Sequence, residues 1–426
     1  MGRFNTSVSA KSLLLVSYWY PPAVGAAAER IHSFAKYLPE HGWKVQVLTA
    51  ARGESLLNAT PTALTHEIPD PFARNAAAFA DYDPRRRPGR LRSWARDLVF
   101  PDRFWAWQRL AVQYASRLAV RENVRLILAS FPPASAACAG LRLHEATGVP
   151  LVLDLRDRWL GPGGYEPKGR RAKSRHRRLE ARCIACADGV VTVSRPLAEA
   201  IAREHHYPVD RIAVIPNGYD PVDAAATSPD ARDSHDNEAG TAFTIAHVGT
   251  VIARNRPDLF LQSISELNRR GALPNVTFQF VGNLSKAYIE SLGLAGSVHS
   301  TGLLPREEAR RLMHRADALL LLTGGYVGRW GLSAKLFEYL PTRRPILCLE
   351  ETSGSLDRKL LEELAPDRAF FAPLAALDEI ASAITQLRTA GARRKIETGD
   401  NPLALAAFRR DALAAELAGF LDQISA

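Results

Sequence analysis

The sequence predicts an α/β chain built as two doubly wound domains. Three observations carry that prediction. Short apolar strands alternate with helical stretches, the alternation breaks near residue 220 and restarts at 242, and 426 residues exceed what one hydrophobic core usually supports. Apolar residues at 46% and charged residues at 23% leave ample material for two cores.

The first domain, residues 1–219, opens with a strand at 12–17 (SLLLVS). A helix follows at 26–42, where Ile31, Phe34, Ala35 and Leu38 recur at helical spacing, and then a strand at 44–50 (KVQVLTA). An irregular arginine-rich insertion comes next and runs into FPDRFWAWQRLAVQYA at 100–115. The alternation resumes with a strand at 125–130, a helix at 134–147, a strand at 150–155 (PLVLDL) and a strongly basic helix. A strand at 189–194, a helix at 196–205 and a strand at 211–216 complete it, and Asn217-Gly218 supplies a closing turn.

Residues 220–241 are rich in Ala, Asp and Ser without periodicity and read as a linker. The second domain, 242–402, restarts with TIAHVG at 244–249 and a helix at 259–270. VTFQFVG at 276–282, a short helix, SVHSTG at 297–302, a helix at 306–315, ALLLLT at 318–323, a helix at 334–340 and PILCLE at 345–350 follow. The stretch 403–426 is an amphipathic helix suited to packing back on the first domain.

No apolar run approaches the roughly 20 residues needed to span a bilayer, and 13–16 ends too soon at Ser17 and Pro21-Pro22 to be a signal-peptide core. The expectation is a cytoplasmic protein. Cys183-x-x-Cys186 lacks a second ligand pair and reads as core rather than as a metal site.

The net charge of +10 is concentrated. Residues 85–109 carry eight arginines against Asp97 and Asp102, a net of +6, and residues 168–182 carry eight basic residues against Glu180, a net of +7. The remainder is therefore about three units negative. Arginines beside Phe100, Phe104, Trp105, Trp107 and Leu110 suit an anionic membrane interface or a solvated helix whose aromatics are core. Nucleic-acid binding lacks any accompanying motif.

Several residues at predicted strand ends suit anion chemistry. Gly25 and Ala26 open a helix after the first strand, where small side chains would let a diphosphate approach unpaired N–H groups, and Arg30 lies one turn inside. There is no GxGxxG fingerprint and no P-loop, which argues against nicotinamide enzymes and ordinary nucleotide triphosphatases. DLRDRW places Arg156 and Asp157 after an apolar strand. Gly249 and Thr250 end the first strand of the second domain, and Arg254 and Arg256 follow as candidates to neutralise a leaving group. Ser333, Ala334 and Lys335 open a helix that carries Glu338, a carboxylate able to accept a hydrogen bond from each of two ribose hydroxyls.

These segments together resemble the family-4 retaining glycosyltransferases of the GT-B fold. The motifs in order are SYWYPPAVGAAAERIHSFAKYL, FPDRFWAWQ, DLRDRW, ADGVVTVSRPL, VIPNGYD, HVGT, FQFVG, VHSTGLLPREEARRLMHRADALLLL and SAKLFEYLPTRRPIL. Individually they are soft; their order and spacing are specific.

The resemblance implies two facing Rossmann-like domains with a cleft between them, an N-terminal acceptor domain and a C-terminal donor domain. It implies that Glu338 holds ribose, that Ser333 to Lys335 cradle the diphosphate, and that Arg254 or Arg256 supplies the phosphate-facing cation. Arg156 and Asp157 match the catalytic loop beside the transferred sugar.

The expected reaction is retaining transfer from a UDP- or GDP-sugar to a saccharide hydroxyl, on a lipid-linked acceptor, in cell-surface or extracellular polysaccharide synthesis. No tightly bound cofactor is expected, and a divalent cation can assist without being required. The expected location is the inner face of the plasma membrane, held peripherally. One departure from the family pattern stands eight residues before Glu338, where Trp330 replaces a glutamate. It favours the alternative of an inactive GT-B subunit that binds nucleotide sugar or membrane and supports an active transferase.

Overall fold

The computed structural model describes residues 11–23, 25–51, 64–72, 82–85, 99–161, 165–167, 169–221, 242–392 and 402–426. They divide into two compact units: 1–74 with 91–215 and 410–426, and 75–90 with 216–409. The expected linker at 220–241 falls almost wholly outside the described residues.

In the first unit, β1 (Lys11–Val16), β2 (Trp43–Ala50), β3 (Leu64–Ile68), β4 (Val124–Phe131), β5 (Leu151–Leu155), β6 (Gly189–Thr192) and β7 (Ile212–Val214) form one parallel sheet. Its order is β3-β2-β1-β4-β5-β6-β7. Helices cover both faces, which is why β1, β4 and β5 read as continuous apolar runs rather than as alternations. One face packs against α2 (Trp105–Arg121), α3 (Ala134–Thr147) and α4 (Arg170–Ala185), with Trp107, Leu141, Cys183 and Ile184 in its core. α5 (Arg195–His205) is capped by Ser194, whose side chain accepts from the Leu197 N–H.

The opposite face is closed by α1 (Ala26–Tyr37) and by the chain's last helix, Arg410–Ser425. That last helix offers Leu413, Leu417, Phe420 and Leu421, one stripe of a helix, to the sheet. Gly189 permits its approach, because a Cβ there would stand 2.9 Å from the Phe420 ring. Arg410 to Glu29 at 3.1 Å and Lys11 to Asp422 at 3.0 Å tie its two ends. The segment 403–426 is not one helix. It breaks after a short helix, Pro402–Ala406, which belongs to the second unit, and only residues from Arg410 onward join the first.

The second unit repeats the plan with β8 (Phe243–Val248), β9 (Val276–Val281), β10 (Val298–Ser300), β11 (Ala318–Thr323), β12 (Ile346–Glu350) and β13 (Ala369–Pro373), in the order β10-β9-β8-β11-β12-β13. Its helices are α6 (Pro257–Arg269), α7 (Lys286–Ser291), α8 (Arg306–Arg315), α9 (Gly325–Trp330), α10 (Ala334–Tyr339), α11 (Leu356–Leu364), α12 (Leu377–Ala392) and α13 (Pro402–Ala406). The closing helix of the first unit is α14.

Each strand order reverses once, between β1 and β4 and between β8 and β11. Open α/β sheets bind ligands beyond the carboxyl ends of their strands at such reversals. Two doubly wound α/β units are what the strand and helix pattern led us to expect.

The arginine-rich insertion is split between the units. Tyr82 bridges to Leu284, its N–H donates to the Asn283 carbonyl at 2.6 Å, and Arg85 lies 5.2 Å from the Tyr288 ring. Arg85 thus belongs to the second unit, whereas residues from 99 onward belong to the first. Residues 86–98 lie outside the described part.

Candidate functional site

In the second unit the candidate residues gather where the strand order reverses. β8 ends at Val248, and Gly249 turns the chain with φ of 112°, in the region that favours glycine. A Cβ on Gly249 would stand 2.9 Å from the Lys335 side chain, so this glycine also makes room for the lysine. The Lys335 ammonium donates to the Thr250 carbonyl at 2.9 Å. After β11, Gly324 serves the same purpose for the neighbouring loop: a Cβ there would collide with the Arg254 carbonyl. Two glycines at adjacent strand ends thereby draw Lys335 and the 253–255 turn toward one point.

The electrostatics at that point are strained. Burial pushes the Lys335 ammonium below its ordinary value; nearby Glu338 opposes that shift and the Arg254 guanidinium adds to it. The charges of Lys335 and Arg254 thus act on each other here, with the carboxylates of Glu338 and Asp357 beside them. Glu338 is exposed, one helical turn beyond Lys335 on α10.

Beneath them His247 is fully buried, pushed down to about 3 by burial and then by Lys335, with Nδ1 on the Leu320 carbonyl at 3.0 Å. A neutral imidazole is thus kept under the lysine. The Tyr339 hydroxyl accepts from the Val248 N–H at 2.9 Å and fixes α10 to the end of β8.

Arg256 takes a different part. It adopts a left-handed backbone with φ of 54°, and its guanidinium pairs with Glu351 and, at 3.3 Å, with Asp258. The motif resemblance does not distinguish Arg254 from Arg256; the structure pairs Arg256 with Glu351 and Asp258, while the Arg254 charge acts on Lys335.

Ser333 is the N-cap residue of α10 without a side-chain cap. Its N–H donates to Asp357 at 2.8 Å, and the other Asp357 oxygen accepts from the Thr323 hydroxyl at 2.8 Å. Asp357 is wholly buried, and burial pushes its carboxyl up to about 6 even though both hydrogen bonds pull it down. Nothing in the sequence singled out Asp357, because it comes from the start of α11, 24 residues away from Ser333. The Ser333 N–H is therefore engaged within the protein. Ala334 and Lys335 follow as the first helical residues, and Trp330 ends α9 with the Arg329 guanidinium 4.9 Å from its ring centre.

In the first unit Gly25, with φ of 123°, is the N-cap residue of α1, and Ala26 is its first residue. Arg30 does not present itself to an external anion. It is 4% exposed and forms a bidentate pair with Asp154, at 2.9 Å from Nη2 and 3.1 Å from Nε. Asp154 also accepts from the Ser130 hydroxyl at 2.8 Å. The same hydroxyl oxygen accepts from Arg156 Nε at 3.1 Å, and Arg156 Nη2 donates to the Pro132 carbonyl at 2.7 Å. Arg156 is thus held at the end of β4 by a chain of polar contacts that begins in the core.

Asp157 is half-buried beside it, and Arg158 pairs with Glu204 at 2.6 Å. A second buried carboxylate, Asp102, accepts from the Ser135 hydroxyl, the Ser135 N–H at 2.9 Å and the Tyr165 hydroxyl at 2.6 Å. In the sequence Asp102 stands out only as an offset to the arginines of 85–109. The signal that could have marked Asp154 is an acid inside the apolar strand PLVLDL, a residue type that needs a partner there.

No group of His, Cys, Asp or Glu among the described residues is arranged to hold a metal ion, and all four cysteines are free thiols. No helix among the described residues is long and apolar enough to cross a membrane.

Residues 27–223 match the family model described as Glycosyltransferase Family 4. No curated protein sequence matches the chain. Solved structures share its fold over nearly the whole length. Sucrose-phosphate synthase from Thermosynechococcus elongatus superposes with a TM-score of 0.70 at 15% identity, covering 97% of this chain and 99% of that one. HepE from Anabaena in complex with UDP gives 0.61 at 16% identity, covering 97% and 100%. The catalytic domain of starch synthase IV from Arabidopsis thaliana, bound to ADP and acarbose, gives 0.57 at 9% identity, covering 98% and 99%.

Proposed function

We propose, for this GT-B chain of the Glycosyltransferase Family 4 type, transfer of a sugar from a nucleoside diphosphate donor to a saccharide hydroxyl with retention at the anomeric carbon. The observation that carries the proposal is the convergence of Arg254 and Lys335 at the strand-order reversal of the second unit, with exposed Glu338 one turn further on. The two cations would balance the donor diphosphate, and the Glu338 carboxylate would accept from the ribose hydroxyls.

In the reaction the bond from the anomeric carbon to the diphosphate oxygen breaks as the bond to the acceptor oxygen forms on the same face. The acceptor proton passes to the departing phosphate oxygen. Negative charge on the diphosphate is greatest as that bond opens, so fixed cations at Arg254 and Lys335 stabilise the transition state more than the bound donor. Arg156 and Asp157 are assigned to the acceptor unit's share of the chemistry. The contacts of Arg156 to Ser130 and Pro132 give it the fixed orientation that such a role requires.

HepE was solved with UDP and with UDP-glucose, and starch synthase IV with ADP. UDP-sugars are therefore the first donors to test, with GDP- and ADP-sugars beside them. A lipid-linked acceptor at an anionic membrane, in polysaccharide synthesis, completes the reading. Its support is the charge of α4, which exposes Arg171, Lys173, Arg177 and Arg178 among other cations.

Titration calorimetry with UDP, GDP and ADP tests donor binding. Heat from one diphosphate, lost in Lys335→Ala, is the expected result; no heat from any of the three would contradict it. The second reading, a donor-binding subunit without transfer activity, is favoured by Trp330 at the place of the family's first glutamate. It predicts the same binding without turnover.

A further inference from the structure

We infer that a groove between α2, α3 and α4 of the first unit seats one anionic phospholipid of a bilayer, so that membrane attachment is a built site rather than a diffuse attraction. The inference rests on the membrane reading above and names its contact. The groove has a volume of about 330 Å³. Phe100, Trp105, Leu141 and Leu179 supply apolar walls, and Arg109, Arg142 and Arg182 stand among its lining residues against the single carboxylate Glu145.

Three observations separate this groove from ordinary basic surface. Arg109 and Arg142 are exposed and have no ion-pair partner among the described residues, whereas Arg182 is held by Glu145 at 2.6 Å. Gln108 lines the groove while only 4% exposed, and its side-chain amide has no hydrogen-bond partner among the described residues. Its polar atoms are open to the groove rather than sealed in the core, so a ligand seated there can take the place of water on them. The groove is also continuous with the basic face of α4. The Arg175 guanidinium lies 4.2 Å from the centre of the Phe100 ring, and Arg175, Leu179 and Arg182 form one stripe of that helix.

A free phosphate would use the arginines and leave the apolar walls exposed; a neutral lipid would leave the arginines unmatched. A phosphodiester headgroup with its adjoining hydrocarbon uses both halves. The phosphate would accept from Gln108 and the two unpaired arginines, and the glycerol and first methylenes would lie on Trp105 and Leu141. Further cations along α4 would meet the surrounding anionic surface.

The test is co-sedimentation of the full chain with vesicles of phosphatidylcholine alone and with added phosphatidylglycerol. UDP affinity is measured in parallel. Wild type should bind the anionic vesicles and not the neutral ones.

Gln108→Leu leaves net charge unchanged, yet should weaken vesicle binding about tenfold, the loss expected for a hydrogen bond to a charged group. Arg142→Ala, at an exposed position that should fold normally, should weaken it at least as much and remain weakened in high salt. Lys173→Ala, an equal loss of charge on α4, should cost about fivefold in low salt and little once salt screens it.

The groove site is overturned if Gln108→Leu and Arg142→Ala bind no worse than Lys173→Ala, or if inorganic phosphate alone displaces the protein from vesicles. Failure of wild type to prefer anionic vesicles removes both the groove and the membrane reading. Intact UDP affinity in every variant separates these outcomes from a failure of the donor site.

Discussion

Asp357 accepts the Ser333 N–H at 2.8 Å and so fixes, from the start of one helix, the first turn of the short helix that carries Lys335 and Glu338. The carboxylate is fully buried and makes its second hydrogen bond to Thr323 at the end of β11. One side chain thus couples the end of a central strand to the candidate donor segment.

This coupling has a pH signature. The folded-state value of Asp357 is raised to about 6 from an ordinary 3.8, so the folded protein holds its proton longer than the unfolded chain. Its contribution to stability is present below pH 4 and is lost as pH rises through 6, by about 3 kcal/mol for a shift of this size. Asp357→Asn does not titrate. Denaturant unfolding at pH 4 and pH 7 should show the variant gaining relative to wild type at the higher pH. A stability difference that stays constant across this range would contradict the account.

Glu338→Ala should weaken donor binding about ten- to hundredfold, the loss expected for hydrogen bonds to a charged group. The thermal midpoint should fall only slightly, because Glu338 is exposed even though its charge favours the Lys335 ammonium. Calorimetry with the diphosphate that wild type binds, beside a melting curve, checks both halves.

Arg254 and Arg256 should separate. Arg254→Ala should lower kcat at saturating donor, since the interaction it removes strengthens as the leaving group gains charge. Arg256→Ala breaks partly exposed pairs with Glu351 and Asp258 and should cost about 0–1 kcal/mol of stability with little change in kcat. Equal loss of kcat in both variants would return the two arginines to one role.

Arg30→Ala should be among the most damaging changes in the first unit. Removing one partner of a buried pair leaves an uncompensated charge, at about 3–5 kcal/mol. The partner left behind is Asp154, which Ser130 also contacts, and Ser130 in turn holds Arg156. Loss of stability together with loss of activity is expected, read by denaturant unfolding and by turnover.

Most of the fold was legible because strands buried on both faces appear as bare apolar runs. ALLLLT gave β11 and PILCLE gave β12 with nearly correct ends. β3 was not legible: LTHEI is an edge strand with a single buried residue, so no apolar pattern marks it. The region after Glu350 was also missed, since the AFFAP strand is only partly buried and α11 and α12 flank it without a clear strand signal between. The candidate site was legible where it follows strand ends, as at Gly249, Arg254 and Lys335. It was not legible where tertiary contact decides, because only the fold brings Asp357 to Ser333 and gives Arg30 an internal partner.

The measurement closest to the central claim is release of nucleoside diphosphate from a panel of UDP-, GDP- and ADP-sugars, with and without saccharide acceptors, by wild type and Lys335→Ala. The account predicts release from one donor class by wild type, acceleration by an acceptor, and loss in the variant. Wild-type protein that binds a diphosphate in calorimetry yet releases none from any sugar donor would contradict transfer and leave the chain a binding subunit.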